Sequence, residues 1–151
     1  MNIGLLHGCK YTQMLNYIAA GTSDIAPAVV IDTAGYEGVQ FVASIGAVTA
    51  TGKAIIYPEH ASSSASTSMV AMTSYGSGTT SGTTAMGTKC IVLDLYRPTK
   101  RYVSAYIDRH TANVAVNTLI AICYGAKKQP VSQSTAANGV IDSDQYASPT
   151  T

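Results

Sequence analysis

Apolar and polar residues alternate in short runs along most of this chain, the signature of strands with one buried face. The clearest runs lie between Cys90 and Gly125. Ile91, Leu93 and Leu95 alternate with Cys90, Val92, Asp94 and Tyr96, and Val103, Ala105 and Ile107 alternate with Tyr102, Ser104, Tyr106 and Asp108. A third run, Val114 to Tyr124, puts Val116, Ile120, Ile122 and Tyr124 on one parity and Leu119, Ala121 and Cys123 on the other. Arg97-Pro98-Thr99-Lys100 supplies a proline-containing turn. The pattern predicts a β-meander whose first two strands form an antiparallel hairpin.

Upstream, Val29, Val30 and Ile31 predict a short strand closed by the turn Asp32-Thr33-Ala34-Gly35. From Tyr36 to Ile45, Val39, Phe41, Ala43 and Ile45 share one face, opposite Gln40, Val42 and Ser44. Lys53 to His60 reads as another strand, and Pro58, which has no N–H, is expected to make its end an edge or exit. Six or seven short strands with frequent turn signals predict an all-β fold, an antiparallel sandwich. A jelly roll and a simpler sandwich both satisfy the pattern.

Around this body, 26–128, the composition changes. Residues 61–88 are almost all Ser, Thr, Gly and Ala, with one apolar island at Met69 to Met72, and predict a long low-complexity loop with a short strand near Thr67 to Met72. Residues 1–25 do not read as sheet. Their apolar positions recur roughly at helical spacing from Tyr11 to Ala20, but Gly4, Gly8 and Gly21 weaken a helix. They are expected to form an arm that docks on the body or on a neighbour. Residues 129–151 are expected to form a second arm, with little to bury beyond Val140, Ile141 and Tyr146.

Charge narrows the function classes. Charged residues are 11% of the chain, against roughly 25% in typical soluble domains, so part of the surface is expected to be covered by other subunits. Nine Lys and Arg face eight Asp and Glu, and the basic pairs Lys127-Lys128 and Lys100-Arg101 are read as solvated turns. No nucleic-acid partner is expected. No apolar run approaches a membrane span, and Met1-Asn2-Ile3-Gly4 has no basic region of a signal peptide. Cys9, Cys90 and Cys123 are an odd, widely spaced set. They argue against a disulfide framework or a zinc site and fit synthesis in a reducing cytoplasm, with Cys90 and Cys123 packed as small hydrophobes.

Catalytic chemistry finds little support. Glu59 and His60 are adjacent strand residues and face opposite ways. Asp108 and His110 share a parity, but no motif places a nucleophile beside them, so the Asp108-Arg109-His110 run reads as a surface cluster. His7 with Cys9, and Asp142 with Asp144, lack the further ligands of a zinc or calcium site. The Gly76 to Gly82 run has neither the spacing nor the lysine of a phosphate loop. No cofactor and no enzymatic activity are expected. Ten tyrosines with no tryptophan suit interfaces as well as cores, and a sugar-binding surface would also use them.

Two stretches, VIDTAGYEGVQFVASIGAVTATG and YRPTKRYVSAYIDRHTANVAVNTLIAICYGAKKQPV, resemble small virion structural proteins of tailed bacteriophages, the head decoration or cement type above all. The resemblance spans roughly residues 28–131 and is carried by the Asp32-Thr33-x-Gly35-Tyr36 turn and the Lys100-Arg101-Tyr102-Val103 strand start. It implies a non-enzymatic protein of the outer capsid surface that stabilises the shell by bridging major capsid protein subunits and associates with itself as a dimer or trimer. Head–tail and tail structural proteins share such modules. A receptor- or carbohydrate-binding sandwich is the alternative of another class. Expected contact residues are Leu5, Leu6, Met14 and Tyr17 in the first arm, Arg97, Lys100, Arg101, Tyr102 and Tyr106 in the body, and Tyr146 in the second arm.

Overall fold

The computed structural model describes residues 5–49, 52–72, 78–81, 89–109, 113–134 and 136–140. A single helical turn, α1 (Leu5–Gly8), leads into β1 (Lys10–Leu15) and β2 (Ile18–Gly21). There follow β3 (Ile31–Asp32), β4 (Gly38–Val48), β5 (Lys53–Ala61), β6 (Val70–Ala71), β7 (Gly78–Ser81), β8 (Cys90–Tyr96), β9 (Tyr102–Asp108) and β10 (Val114–Tyr124). They form two antiparallel sheets. One has the order β1-β10-β4-β8, with β2 also on β10; the other has the order β3-β9-β5-β6, with β7 also on β5. The inner faces pack against each other as an all-β sandwich.

The core comes from the alternation. Val39, Phe41, Ala43 and Ile45 of β4 meet Ile91, Leu93 and Leu95 of β8 on the same inner face, opposite Ile56, Val103 and Ile107 of the other sheet. Strand β10 departs from simple alternation. Val114 and Val116 point inwards, and so do Leu119, Ala121 and Cys123, although their parity is opposite. The switch is a β-bulge: Val116 pairs with Ile45 and Thr118 with Ser44, which leaves Asn117 as an extra residue. The Asn117 amide donates to the Ile45 carbonyl and the Ser44 hydroxyl. A compensating extra residue in β4 falls between Ile45 and Val48. Gly46 lies there, where a Cβ would sit 2.7 Å from the Asn117 side-chain oxygen. A single parity for the whole of β10 is therefore corrected.

Three further expectations change. Strands β8, β9 and β10 are no meander, because β9 lies in the sheet opposite its two neighbours. The Arg97 N–H still bonds to the Glu37 carbonyl beside the first sheet, whereas the Arg101 carbonyl already accepts from Thr33 beside the second. The turn is thus a crossover between layers and not a hairpin; alternation specifies the buried face but not the partner strand. Pro58 sits inside β5, paired with Ala105, and not at an exit. Its carbonyl accepts from Met72 on the side away from β9. Its missing N–H therefore falls in the gap between β7, which pairs with Lys53 to Ile56, and β6, which pairs with Glu59 and His60. No ladder bond to β9 is lost. Cys90 is exposed at the start of β8 rather than packed, whereas Cys123 is buried.

The segment expected as a first arm supplies β1 and β2, both paired with β10. The start of the second arm closes the outer edge of β1. The Val131 N–H donates to the His7 carbonyl and the Gln13 N–H to the Asn138 carbonyl, while the Gln133 amide accepts from the Tyr11 N–H and donates to the Cys9 carbonyl. An edge covered in this way has few free groups to recruit another chain.

Arg109 was expected on the surface and is buried instead, 6% exposed. Its guanidinium donates to the carbonyls of Ser23, Ala19 and Val114, tying the β2 segment to β10. Only a planar fork of fixed donors spans these acceptors. Arg109→Ala is expected to lower the unfolding free energy by about 3 kcal/mol or more, since buried carbonyls lose charged donors. Arg109→Lys should recover less than half of that loss in urea denaturation. Full recovery would show that charge alone, without the fork, holds this corner.

Candidate interaction surface

One end of the sandwich collects most of the expected contact residues of the body. The β8–β9 link, the β3–β4 turn and the run after β10 are drawn together by backbone bonds: Arg97 N–H to Glu37, Glu37 N–H to Tyr124, Lys127 N–H to Gly35 and Thr33 N–H to Arg101. Arg101 grips Asp32 with two donors, at 2.8 and 2.6 Å, and its guanidinium lies 5.2 Å from the Tyr102 ring centroid. Arg97 lies 5.0 Å from the centre of the Tyr96 ring and 4.0 Å from Glu37. Each arginine thus covers an aromatic face while its charge stays in water, a preorganised cation–π arrangement. Lys100 belongs to the same loop, and Thr99 hydrogen-bonds the His60 ring there.

The other expected contact residues scatter. Tyr17, 66% exposed, stands in the turn between β1 and β2 at the far end of β1. Leu5 is exposed on α1; of Leu6 only the backbone is described, and Tyr146 lies outside the described residues. Met14 is corrected: at 4% exposed it is part of the core, because β1 is a sheet strand whose parity turns this side chain inwards. Tyr106 lies on the outer face of β9, its hydroxyl donating to the Asp24 carboxylate and its ring 6.4 Å from that of Tyr57. His110, weighed with Asp108 for catalysis, lies outside the described residues.

Sequence reasoning missed Lys127, Glu37 and Tyr124 as neighbours of the Arg97 corner. Tyr124 lies across β4 to reach the Asp94 carboxylate of β8 at 2.8 Å. This path is open because Gly38 between them has no side chain, and a Cβ there would collide with the Tyr124 hydroxyl. Only the Gly38 position hints at it in sequence, and only once the strand order is known.

The acid–base groups follow these contacts. The Tyr106 hydrogen bond holds Asp24 below the usual carboxylate range, and the Arg101 hydrogen bonds do the same for Asp32. Tyr106 is pushed up to about 12, first by its bond to Asp24, and Tyr124 to about 12, first by burial. Burial raises Glu59 and lowers His60. It also drives the Cys123 thiol up to about 11, where it is a neutral packing group at physiological pH. Among the described residues, no group of three or more His, Cys, Asp or Glu could hold a metal, and no helix is long and apolar enough to cross a membrane.

No protein-family model matches this chain, and no curated protein matches it in sequence.

The two depressed carboxylates set an acid limit. Their contribution to stability is complete above the unfolded carboxylate value, about 3.9, and is lost as pH falls through the lower folded values. The raised tyrosines act on the other side, their contribution fading as pH climbs from about 10 towards 12. Thermal unfolding should therefore show a plateau between these limits. Asp32→Asn with Asp24→Asn should flatten the acid shoulder, and an unchanged shoulder in the double variant would overturn the assignment.

Proposed function

We propose that this chain is a non-enzymatic virion structural protein that decorates a phage capsid and stabilises it by bridging major capsid protein subunits. The observation that carries the reading is the pairing of a tightly packed sandwich with a surface poor in charge and studded with large apolar groups. Leu5, Tyr17, Val70, Val92 and Tyr96 are all exposed, in a chain with only 11% charged residues. Such a surface suits permanent contact with other subunits. The resemblance of residues 28–131 to head decoration proteins supports the same reading. Contacts repeated around a symmetric shell would add up by avidity, with no single strong site required. Self-association and a place on the outer capsid surface belong to this proposal.

A second reading has one observation in its favour. Tyr57 and Tyr106 stand as a ring pair on the outer face of β5 and β9, with Asp24 hydrogen-bonded to Tyr106. Aromatic rings beside a carboxylate are the groups with which a sandwich binds sugars, so a carbohydrate- or receptor-binding module is the alternative.

Two measurements separate them. Phage particles assembled without this protein are expected to rupture at lower temperature or under milder osmotic shock than complete particles, and equal stability would sink the capsid role. Glycan-array binding that disappears with Tyr57→Ala and Tyr106→Ala would establish the alternative.

A further inference from the structure

The chain is nearly neutral, nine positive side chains against eight negative, but the fold does not spread them evenly. Arg97, Lys100 and Arg101 come from the β8–β9 link, and Lys127 and Lys128 from the run after β10. The bonds from Arg97 to Glu37, Glu37 to Tyr124 and Lys127 to Gly35 place both segments at one end of the molecule. Five of the nine positive groups therefore share one pole. Two carboxylates lie among them, Asp32 and Glu37, and each already faces an arginine. Neither pair engages Lys100, Lys127 or Lys128, and among the described residues these lysines have no carboxylate at salt-bridge distance.

The pole is also concave. One cleft of about 440 Å³ is lined by Arg97, Pro98, Tyr36, Glu37 and Lys127. A second, of about 400 Å³, runs on past Tyr36 to Lys127, Lys128, Pro130 and Val131. Lys127 and the Ala34 to Tyr36 turn are common to both. The walls thus mix ammonium and guanidinium groups with proline and tyrosine surface, at the scale of a few side chains of an extended peptide.

We propose that this pole is a docking site for an acidic peptide segment of a partner protein, whose carboxylates meet Lys127, Lys128, Lys100 and Arg97 while its chain lies along the two clefts. Charge complementarity selects the partner. The unneutralised charge is positive, and the clefts offer apolar walls for the residues between the carboxylates. A nucleic acid fits less well: its affinity comes from many phosphates neutralised along a continuous stripe, and here Asp32 and Glu37 interrupt the cations and would face the phosphate backbone. The inference rests on the charge placement alone and does not require the capsid role.

Fluorescence anisotropy with a labelled peptide of consecutive glutamates tests it, beside a labelled single-stranded oligonucleotide of equal length. The full-length protein should bind the peptide and lose affinity steeply between about 50 and about 200 mM salt. The Lys127→Glu, Lys128→Glu double variant should weaken binding by about tenfold or more, and Lys100→Glu, on the other segment, should weaken it as well. Lys53→Glu and Lys89→Glu, whose lysines stand at the starts of β5 and β8 away from this pole, should stay within about twofold of the parent. A peptide that fails to bind, controls that weaken binding as much as the pole variants, or an oligonucleotide that binds more tightly than the peptide would each overturn the proposal.

Discussion

The extra residue at Asn117 is the constraint on which the larger sheet depends. Strand β10 pairs with β4 on one side and with β1 and β2 on the other, so whatever sets its facing sets that of its neighbours. Without the bulge, either Val114 and Val116 or Leu119, Ala121 and Cys123 would point to solvent, since a strand of one parity buries only alternate residues. The bulge turns both groups inwards. Gly46 makes room for the Asn117 amide, whose donors are taken up by Ile45 and Ser44. An 11-residue strand is thereby buried on one face along its whole length.

The second layer hangs on this one through short crossovers, and these place the surface features. Only three residues separate Arg97, bonded beside the first sheet, from Arg101, bonded beside the second. A crossover so short brings its charges close to the β3–β4 turn, and the end of β10 arrives at the same place because Gly38 lies between Tyr96 and Tyr124 in register. At the opposite end, Arg109 performs the complementary task and ties the β2 segment to β10 through carbonyls. One arginine-rich corner faces outwards while the other arginine is consumed inside the fold. Burial and the geometry of the acceptors account for that division.

The proposed roles agree physically. A protein that clamps neighbours benefits from edges that do not pair indiscriminately, and here the described part of the C-terminal run covers β1. Contacts are then left to side chains: exposed apolar groups such as Tyr17 and Val92, and a basic pole where Asp32 and Glu37 pair with arginines but not with its three lysines. Selective pairing by charge and shape at a few places, repeated by symmetry, is a workable basis for a shell-stabilising protein.

The period-two pattern, read from sequence alone, determined the all-β class and the inward faces of β4, β8 and β9. Alternation is a local property and survives without knowledge of partners. Partner choice belongs to the tertiary structure, and the apparent meander became a pair of crossovers because burial can be satisfied in either layer. The same reason explains the rest. Val116 changed company because one extra residue reverses parity, Pro58 was tolerated inside a strand because its missing donor falls in a gap, and Met14 left the surface because β1 had a sheet to join. The basic pairs at Lys100 and Lys127 looked like unrelated turns, 27 positions apart in the chain. Only the pairing of β4 with both β8 and β10 made them one surface.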